Sequence, residues 1–528
     1  MASTENFVAN TENFVANYQR ALADGQLQQA LSKATTKFTA ARAQAVGKLG
    51  ADDWEAMRQR ARAVKEHTVT HLDYYLEQFA ANVERLGGRV FWARDAGEAN
   101  HYIVTLARER GVQLAVKSKS MMTEEIELNR ALQTAGVEAV ETDLGEYIVQ
   151  LAGERPSHIT APAIHKTRHE IADLFTDKLQ VEWTNEITDM TALARRVLRA
   201  KFAAAEMGVT GANFAVAETG TLVLVENEGN IRLTTSLPRL HVAVLGIEKL
   251  IPRLEDLDIF LKLLPRSASG QQITSYLSFL SGVKRAAAEE GPEELHVVLL
   301  DNGRSRMLAD PHLRESLYCI RCGACLNTCP VYQKIGGHAY GWIYPGPIGA
   351  VLTPQLIGRQ RAADLPFASS LCGACRDACP LKINIPDMLL HLRRQIKEPA
   401  QAESQASPPT PAGAGVSVSS PSDGAGPHEA RRQSLTVRLK RRLARYAEHA
   451  AFRLWAAAMM NVTRYRFATR LPRWAQRVFG VKGLQNSRLL PLARWTGARD
   501  LPPFAGQTFR ERWPELSKAD RGEPEQRG

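Results

Sequence analysis

All seven cysteines of this 528-residue chain fall between positions 319 and 379. Core thiols would be scattered. Disulfide pairing accounts poorly for an odd number of cysteines at short, patterned spacings. The first motif is Cys319-x2-Cys322-x2-Cys325-x3-Cys329-Pro330, and the second is Cys372-x2-Cys375-x3-Cys379-Pro380. The first is the full bacterial ferredoxin run, in which two-residue gaps let three thiolates converge on one cubane while the thiol after the longer gap turns toward a second cluster. Paired Cys-x2-Cys steps also suit zinc, but the repeated run ending in Cys-Pro favours iron–sulfur. Cross-ligation then gives cluster 1 the ligands Cys319, Cys322, Cys325 and Cys379, and cluster 2 the ligands Cys329, Cys372 and Cys375. Ser369 stands three residues before Cys372, where a complete second motif would carry its remaining cysteine. A 3Fe–4S cluster, a 4Fe–4S cluster with serine or another ligand on one iron, and a cubane with an exchangeable iron all fit this set. We expect two 4Fe–4S clusters, the second with a non-cysteine fourth ligand. The 42 residues between Cys329 and Cys372 are too many for a compact ferredoxin repeat and suit a helical di-cluster module.

The chain is long enough for two to four domains. Residues 1–86 read as helical, with few prolines or glycines and apolar positions Trp54, Met57, Ala61 and Val64 at helical spacing. Within them TENFVAN occurs twice, at 4–10 and 11–17, either as a docking stripe carrying Phe7 and Phe14 or as a tandem duplication in a frayed terminus. Residues 87–303 alternate strand and helix patterns: strands at Val90–Ala93, Val112–Val116 and Val137–Glu141, with a helix at Thr123–Thr134. β-rich runs follow at Asn213–Ala217, Thr221–Glu226 and Asn230–Thr235, separated by hairpin turns at Glu218-Thr219-Gly220 and Asn227-Glu228-Gly229. Apolar strands at His241–Ile247 and Val297–Leu300 close a single α/β domain with a mixed or parallel sheet. Residues 304–398 hold the cysteines among short helices.

The formal charge of +11 is concentrated in one segment, since Arg431 to Asp500 holds seventeen Lys/Arg against two acids, Glu448 and Asp500. Before it, residues 399–430 form a linker, because six prolines with Ser, Ala and Gly, and no aromatic residue, Leu or Ile, cannot offset the entropy of ordering. Residues 431–528 read as a basic helical region, helical at least to Asn461, with Phe452, Trp455, Phe467 and Trp474 among the arginines. Such a segment binds nucleic acid, anionic lipid or an acidic partner subunit, and a redox protein points to the last. No stretch is apolar enough to span a membrane, and Met1 to Tyr18 carries no signal-peptide pattern, so the expected compartment is the cytoplasm.

With these motifs in hand, the chain resembles the lactate utilization protein B family. The resemblance rests on Lys117–Glu125 (KSKSMMTEE), Glu141–Ile148 (ETDLGEYI), Pro156-Ser-His-Ile with Pro162-Ala-Ile-His, Gly208–Thr221 (GVTGANFAVAETGT) and Ser370–Cys375 (SLCGAC), and runs over roughly residues 55–398. It implies a lactate-utilization domain of the phosphosugar isomerase/CoA-transferase-like fold, followed by an α-helical di-cluster ferredoxin domain whose second motif is likewise three-membered. It further implies transfer of electrons from L-lactate oxidation to pyruvate, together with two partner subunits; the electron acceptor is not implied. Spacing alone points to a di-cluster electron carrier.

Outside the cysteines the signals are weaker. Lys117, Ser118, Lys119 and Ser120 sit between a strand and a helix, where backbone N–H groups and two ammonium groups would attract a carboxylate or phosphate. His165 and His169, four apart, read as a surface pair, and Glu218 as a turn residue that a catalytic carboxylate would resemble. Gly208 and Gly211 do not make a dinucleotide fingerprint, so no NAD or FAD site is assigned. No catalytic residue is identified. The favoured expectation is an electron-transfer subunit in a complex; the alternatives are a self-sufficient hydroxy-acid oxidoreductase and an iron–sulfur sensor with a nucleic-acid-binding tail.

Overall fold

The structure, a computed structural model, describes residues 11–286, 289–397, 450–485 and 503–513. It divides into two units, Met1–Ala406 and Ser407–Gly528. The first unit opens with four helices: α1 (Phe14–Ala23), α2 (Gly25–Leu49), α3 (Ala51–Thr70) and α4 (Leu72–Arg85). The second copy of the heptapeptide is packed rather than frayed: Phe14 is buried with its ring 5.9 Å from that of Tyr340, and the Thr11 hydroxyl donates to Arg361 O at 2.6 Å. The first copy lies outside the described residues.

Six parallel strands then form the main sheet, in the order β1 (Arg89–Ala93), β10 (Glu294–Leu300), β7 (Leu240–Gly246), β4 (Met207–Thr210), β2 (Leu114–Lys117) and β3 (Glu138–Glu141). Strands buried on both faces read as unbroken apolar runs, which is why β7 and β10 were legible in sequence. The two faces separate by the period of two: Val242 and Val244 of β7 pack with the helix α5 (Ala96–Glu109), while Ala243 and Leu245 pack with α4 and the second sheet. That second sheet runs β8 (Leu250–Ile251), β5 (Phe214–Val216), β6 (Thr221–Glu226) and β9 (Tyr276–Leu280). The expected hairpin joins β5 and β6, with Gly220 N donating to Val216 O at 2.9 Å.

Two expectations are corrected here. Asn230–Thr235 is not a strand: Asn230–Ser236 is a helix, because the Glu226 carboxylate accepts from Ile231 N and Arg232 N at 2.7 and 3.1 Å and satisfies two of its orphan donors. The Asn227-Glu228-Gly229 turn therefore leads into a helix instead of reversing a hairpin. Thr123–Thr134 is two helices, α6 (Met121–Glu125) and α7 (Leu128–Thr134), broken where Glu127 adopts φ 54°. The strand β4, unread in sequence, lies at the centre of the sheet. Gly208 within it permits this, since a Cβ there would stand 1.9 Å from Thr234 O.

From Arg304 to Lys397 the described elements are short α- and 3-10 helices joined by loops. In the second unit, helical turns at 450–459 end before Asn461, whose side chain caps the next helix, Val462–Gln485. Phe452, Trp455, Phe467 and Trp474 are exposed on these helices. The linker at 399–430 and residues 431–449 lie outside the described residues. No described helix is long and apolar enough to cross a membrane.

Candidate metal centre and the adjoining cavity

The two cysteine motifs share one backbone. In the first, Arg321 (φ 59°) and Gly323 (φ 75°) flank Cys322 ahead of the helix Ala324–Asn327; in the second, Leu371 (φ 56°) and Gly373 (φ 86°) flank Cys372 ahead of Ala374–Ala378. The left-handed glycine between the paired cysteines lets the chain turn sharply into each short helix. Arg321 N donates to Cys319 Sγ at 3.4 Å, and at the equivalent place Leu371 N donates to Ser369 Oγ at 3.1 Å. Ser369 thus occupies in the second motif the position that Cys319 occupies in the first.

All seven cysteines are free thiols; Cys372 is exposed, Cys319 half-buried and the others buried. Burial, and then the charge of neighbouring sulfurs, raises the thiol pKa of Cys322, Cys325 and Cys375. The charges that act on them differ: Cys319 and Cys379 act on Cys322 and Cys325, and Cys329 and Cys372 act on Cys375. Cys375 acts on Cys325 as well, so the two motifs approach each other there. Free thiols, most of them buried, with backbone N–H groups donating to Cys319 and Cys329, are a donor set that fits soft iron–sulfur ligation.

The N-terminal helices clamp this centre. Arg58 of α3 donates to Cys379 O at 2.7 Å and Asp377 O at 3.1 Å, Arg42 of α2 donates to Ala378 O at 3.0 Å, and Arg62 reaches Lys382 O at 3.1 Å. These arginines satisfy carbonyls left open at the end of the short helix Ala374–Ala378.

A second network joins the α/β part to the cysteine loops. Arg304, fully buried, forks onto Glu125 at 2.8 and 2.9 Å and meets Glu248 at 2.6 Å; Tyr344 donates to Glu125 at 2.7 Å, and Arg321 lies 3.4 Å from Glu248. Burial alone would raise the Glu248 carboxyl, but Arg304 and Arg321 hold it down at about 2.

Between these loops and the C-terminal ends of β2 and β4 lies a cavity of about 300 Å³, lined by Lys119, Asn213, Glu226, Glu228, Lys249 and Arg321 among others. This is the edge of a parallel sheet at which ligands of α/β folds bind. Burial pushes Lys249 down to about 8, with Arg321 adding to the shift, and burial together with Asp143 raises Glu228 to about 7.

The expected anion-binding pair divides. Lys117 is buried and committed to Glu141 at 2.7 Å, Glu124 at 2.9 Å and the Thr123 hydroxyl at 2.8 Å, so it presents no free ammonium group. Ser118 is buried too, and Lys119 alone of the three lines the cavity. His165 and His169 part company: His165 bonds Glu154 at 2.6 Å and His169 bonds Asn185 at 3.0 Å. Glu218 accepts from Leu254 N at 3.0 Å, a turn-fixing role away from the cavity lining. Sequence reasoning missed Glu228, Lys249 and Arg321. The available signal was their placement: Lys249 follows the apolar run of β7, and Arg321 precedes Cys322, each at a strand or motif end where the chain turns toward a shared face.

Comparison with known proteins agrees with this architecture. The family model for the LUD domain matches residues 76–300, that for a 4Fe–4S dicluster domain residues 315–383, and that for the C-terminal part of lactate utilisation protein B residues 427–518. Lactate utilization protein B of Bacillus cytotoxicus is 40% identical over 495 residues, 94% of this chain and 95% of the relative. The Bacillus pumilus protein of that name is 42% identical over 491 residues, covering 93% and 94%. That of Shouchella clausii is 48% identical over 378 residues, 71% of this chain and 79% of the relative. With its LUD domain, dicluster domain and C-terminal region all matched, the chain belongs to the lactate utilization protein B family.

Proposed function

We propose that this protein is the iron–sulfur electron-transfer subunit of a complex that oxidises L-lactate to pyruvate with two further lactate-utilization subunits. The observation that supports the reading is the backbone shared by the two cysteine motifs, each with a left-handed residue and a left-handed glycine around its cysteine. Cys319, Cys322, Cys325 and Cys379 would hold one 4Fe–4S cluster; Cys329, Cys372 and Cys375 would hold the second, whose fourth ligand would not be a cysteine, and Ser369, which accepts from Leu371 N, is the candidate for it. Bound there, such clusters pass electrons one at a time. Lactate gives up two electrons and two protons, so the reaction also needs a proton acceptor and a substrate site. Exposed Cys372 puts the second group at the surface, where a partner can approach it.

Anaerobically prepared protein is expected to carry about seven to eight irons. Cys319→Ser and Cys372→Ser should damage different paramagnetic signals, and stoichiometric zinc in place of iron would overturn the assignment. Dithionite should reduce the isolated chain and L-lactate should not, until the partner subunits are added. The cavity against Arg321 favours a second reading, in which this chain itself oxidises a hydroxy acid. Bleaching of cluster absorbance by L-lactate in the isolated chain would select it.

A further inference from the structure

Away from the cysteines, three side chains of metal-ligating type meet where the α/β part touches the cysteine-bearing helices. One ligand atom of each of Glu154, His165 and His338 lies within 4.8 Å of those of the other two. Glu154 follows the helix Leu144–Ala152, and His165 precedes the helix Arg168–Leu179, both in the stretch matched by the LUD domain. His338 opens the 3-10 helix His338–Tyr340, in the stretch matched by the dicluster domain. The two stretches are brought together by other contacts. At Gly337 a Cβ would stand 1.7 Å from Ser157 O, so only glycine permits the approach, and the Tyr332 hydroxyl donates to that same oxygen at 2.8 Å. His338 is thereby presented to the loop that carries Glu154 and His165 before any ion binds, which lowers the ordering cost of a site there.

Hydrogen bonding leaves both imidazoles in the form that a metal ion takes. The Glu154 carboxylate accepts from His165 Nε2 at 2.6 Å, and Arg155 O accepts from His338 Nε2 at 2.7 Å. In each neutral ring the proton therefore sits on Nε2 and the lone pair on Nδ1. A carboxylate or a backbone carbonyl on the far nitrogen is the arrangement that orients metal-bound histidines. The His165 side chain is 10% exposed, and its Nδ1 is buried with no hydrogen-bond partner among the described residues. A buried acceptor without a donor is costly, and native interiors seldom leave one so. The His165 and His338 rings lie 4.4 Å apart, centre to centre, at 64°.

The donor set selects the ion. Lys166 holds the other Glu154 oxygen at 2.7 Å, so the charge of the single carboxylate is already offset. Calcium and magnesium, which take several oxygens, gain little here. Two imidazoles and one carboxylate suit zinc and its first-row neighbours, with water completing the coordination at exposed His338. The other acidic group of this kind, Glu124, Glu141 and Glu146, already encloses the Lys117 ammonium, which pairs with two of its members. We propose that Glu154, His165 and His338 form a binding site for a divalent transition metal ion of the zinc class, which ties the α/β part to the cysteine-bearing helices. The site shares no residue with the two cysteine motifs and stands independently of the iron–sulfur assignment and of where lactate is oxidised.

The test uses the full chain with its clusters in place, under anaerobic conditions, titrated with zinc chloride while iron is measured in the same samples. Stoichiometric zinc is expected to bind without loss of iron. X-ray absorption at the zinc edge should then show nitrogen and oxygen neighbours at about 2.0–2.2 Å and no sulfur near ~2.3 Å, which separates this site from zinc that has displaced iron at the cysteines. His338→Gln alters an exposed residue and should keep the wild-type iron content and visible spectrum while weakening zinc binding by at least about tenfold. Glu154→Gln, which keeps the shape of the side chain and removes its charge, is the second variant and should weaken zinc binding as well. Zinc held through sulfur, no stoichiometric zinc, or undiminished affinity in both variants would each overturn the proposal.

Discussion

Arg304 has no exposed surface to speak of, and its charge is stable only because Glu125 and Glu248 face it in a fixed fork. Removing one partner from such a group strands the others in a low dielectric. Arg304→Met should therefore destabilise the first unit by about 3–5 kcal/mol in anaerobic urea unfolding, since two carboxylates lose their cation; a variant as stable as the parent would show that the network is not needed. His241 offers a pH test. It is buried on β7, bonds the Thr210 hydroxyl at 2.9 Å, and burial holds its imidazole down at about 4. An unfolded histidine titrates near ~6.5, so between these values the unfolded chain binds a proton that the folded chain refuses. Stability is then unaffected above pH ~6.5 and falls as pH drops toward 4, by about 3 kcal/mol in all. His241→Gln keeps a hydrogen-bonding side chain beside Thr210 and should flatten the slope relative to wild type; equal slopes would refute the assignment. At Ser369 the expected result is a lower reduction potential for the second cluster in Ser369→Cys, because added thiolate charge favours the oxidised form. Cysteine spacing made these thiols legible from sequence. The commitment of Lys117 was not, because its partners Glu124 and Glu141 reach it from a helix and a neighbouring strand that only the fold sets beside β2.

Helices α2 and α3 do more than precede the α/β part. Their arginines reach the carbonyls around Cys379, so the backbone that carries this thiol is held by elements more than 300 positions away in the chain. Arg58→Ala should speed iron loss to a chelator several-fold while leaving the far-ultraviolet circular dichroism unchanged, since it removes charged hydrogen bonds that contribute about 1.5–3 kcal/mol each. Unaltered iron loss would mean that the clamp is incidental. The helical pattern of this region was readable from Trp54, Ala61 and their spacing; its function as a clamp was not, because arginines on a solvated face and arginines on a partner helix end look alike in sequence. Asn230–Thr235 shows the opposite failure. Its β-branched residues favour a strand, and the Glu226 carboxylate, by capping the N-terminus, decides for a helix.

At the scale of the molecule, every cysteine and the whole clamp belong to the unit Met1–Ala406. A chain ending near residue 405 should retain its iron and both paramagnetic signals, while the loss of the basic region Arg431–Asp500 should weaken association with partner subunits in a salt-dependent way. Loss of iron on truncation would place the basic region in the core instead. The sequence by itself determined the motifs, the apolar strands of the parallel sheet and the isolation of basic charge near the C-terminus, because each is a pattern carried by near neighbours in the chain. Only the tertiary structure decided that Lys117 is paired with two carboxylates, that Leu371 N donates to Ser369 Oγ as Arg321 N does to Cys319 Sγ, and that Lys249 and Arg321 face one cavity. Those outcomes depend on desolvation and on partners from distant segments, and local pattern encodes neither.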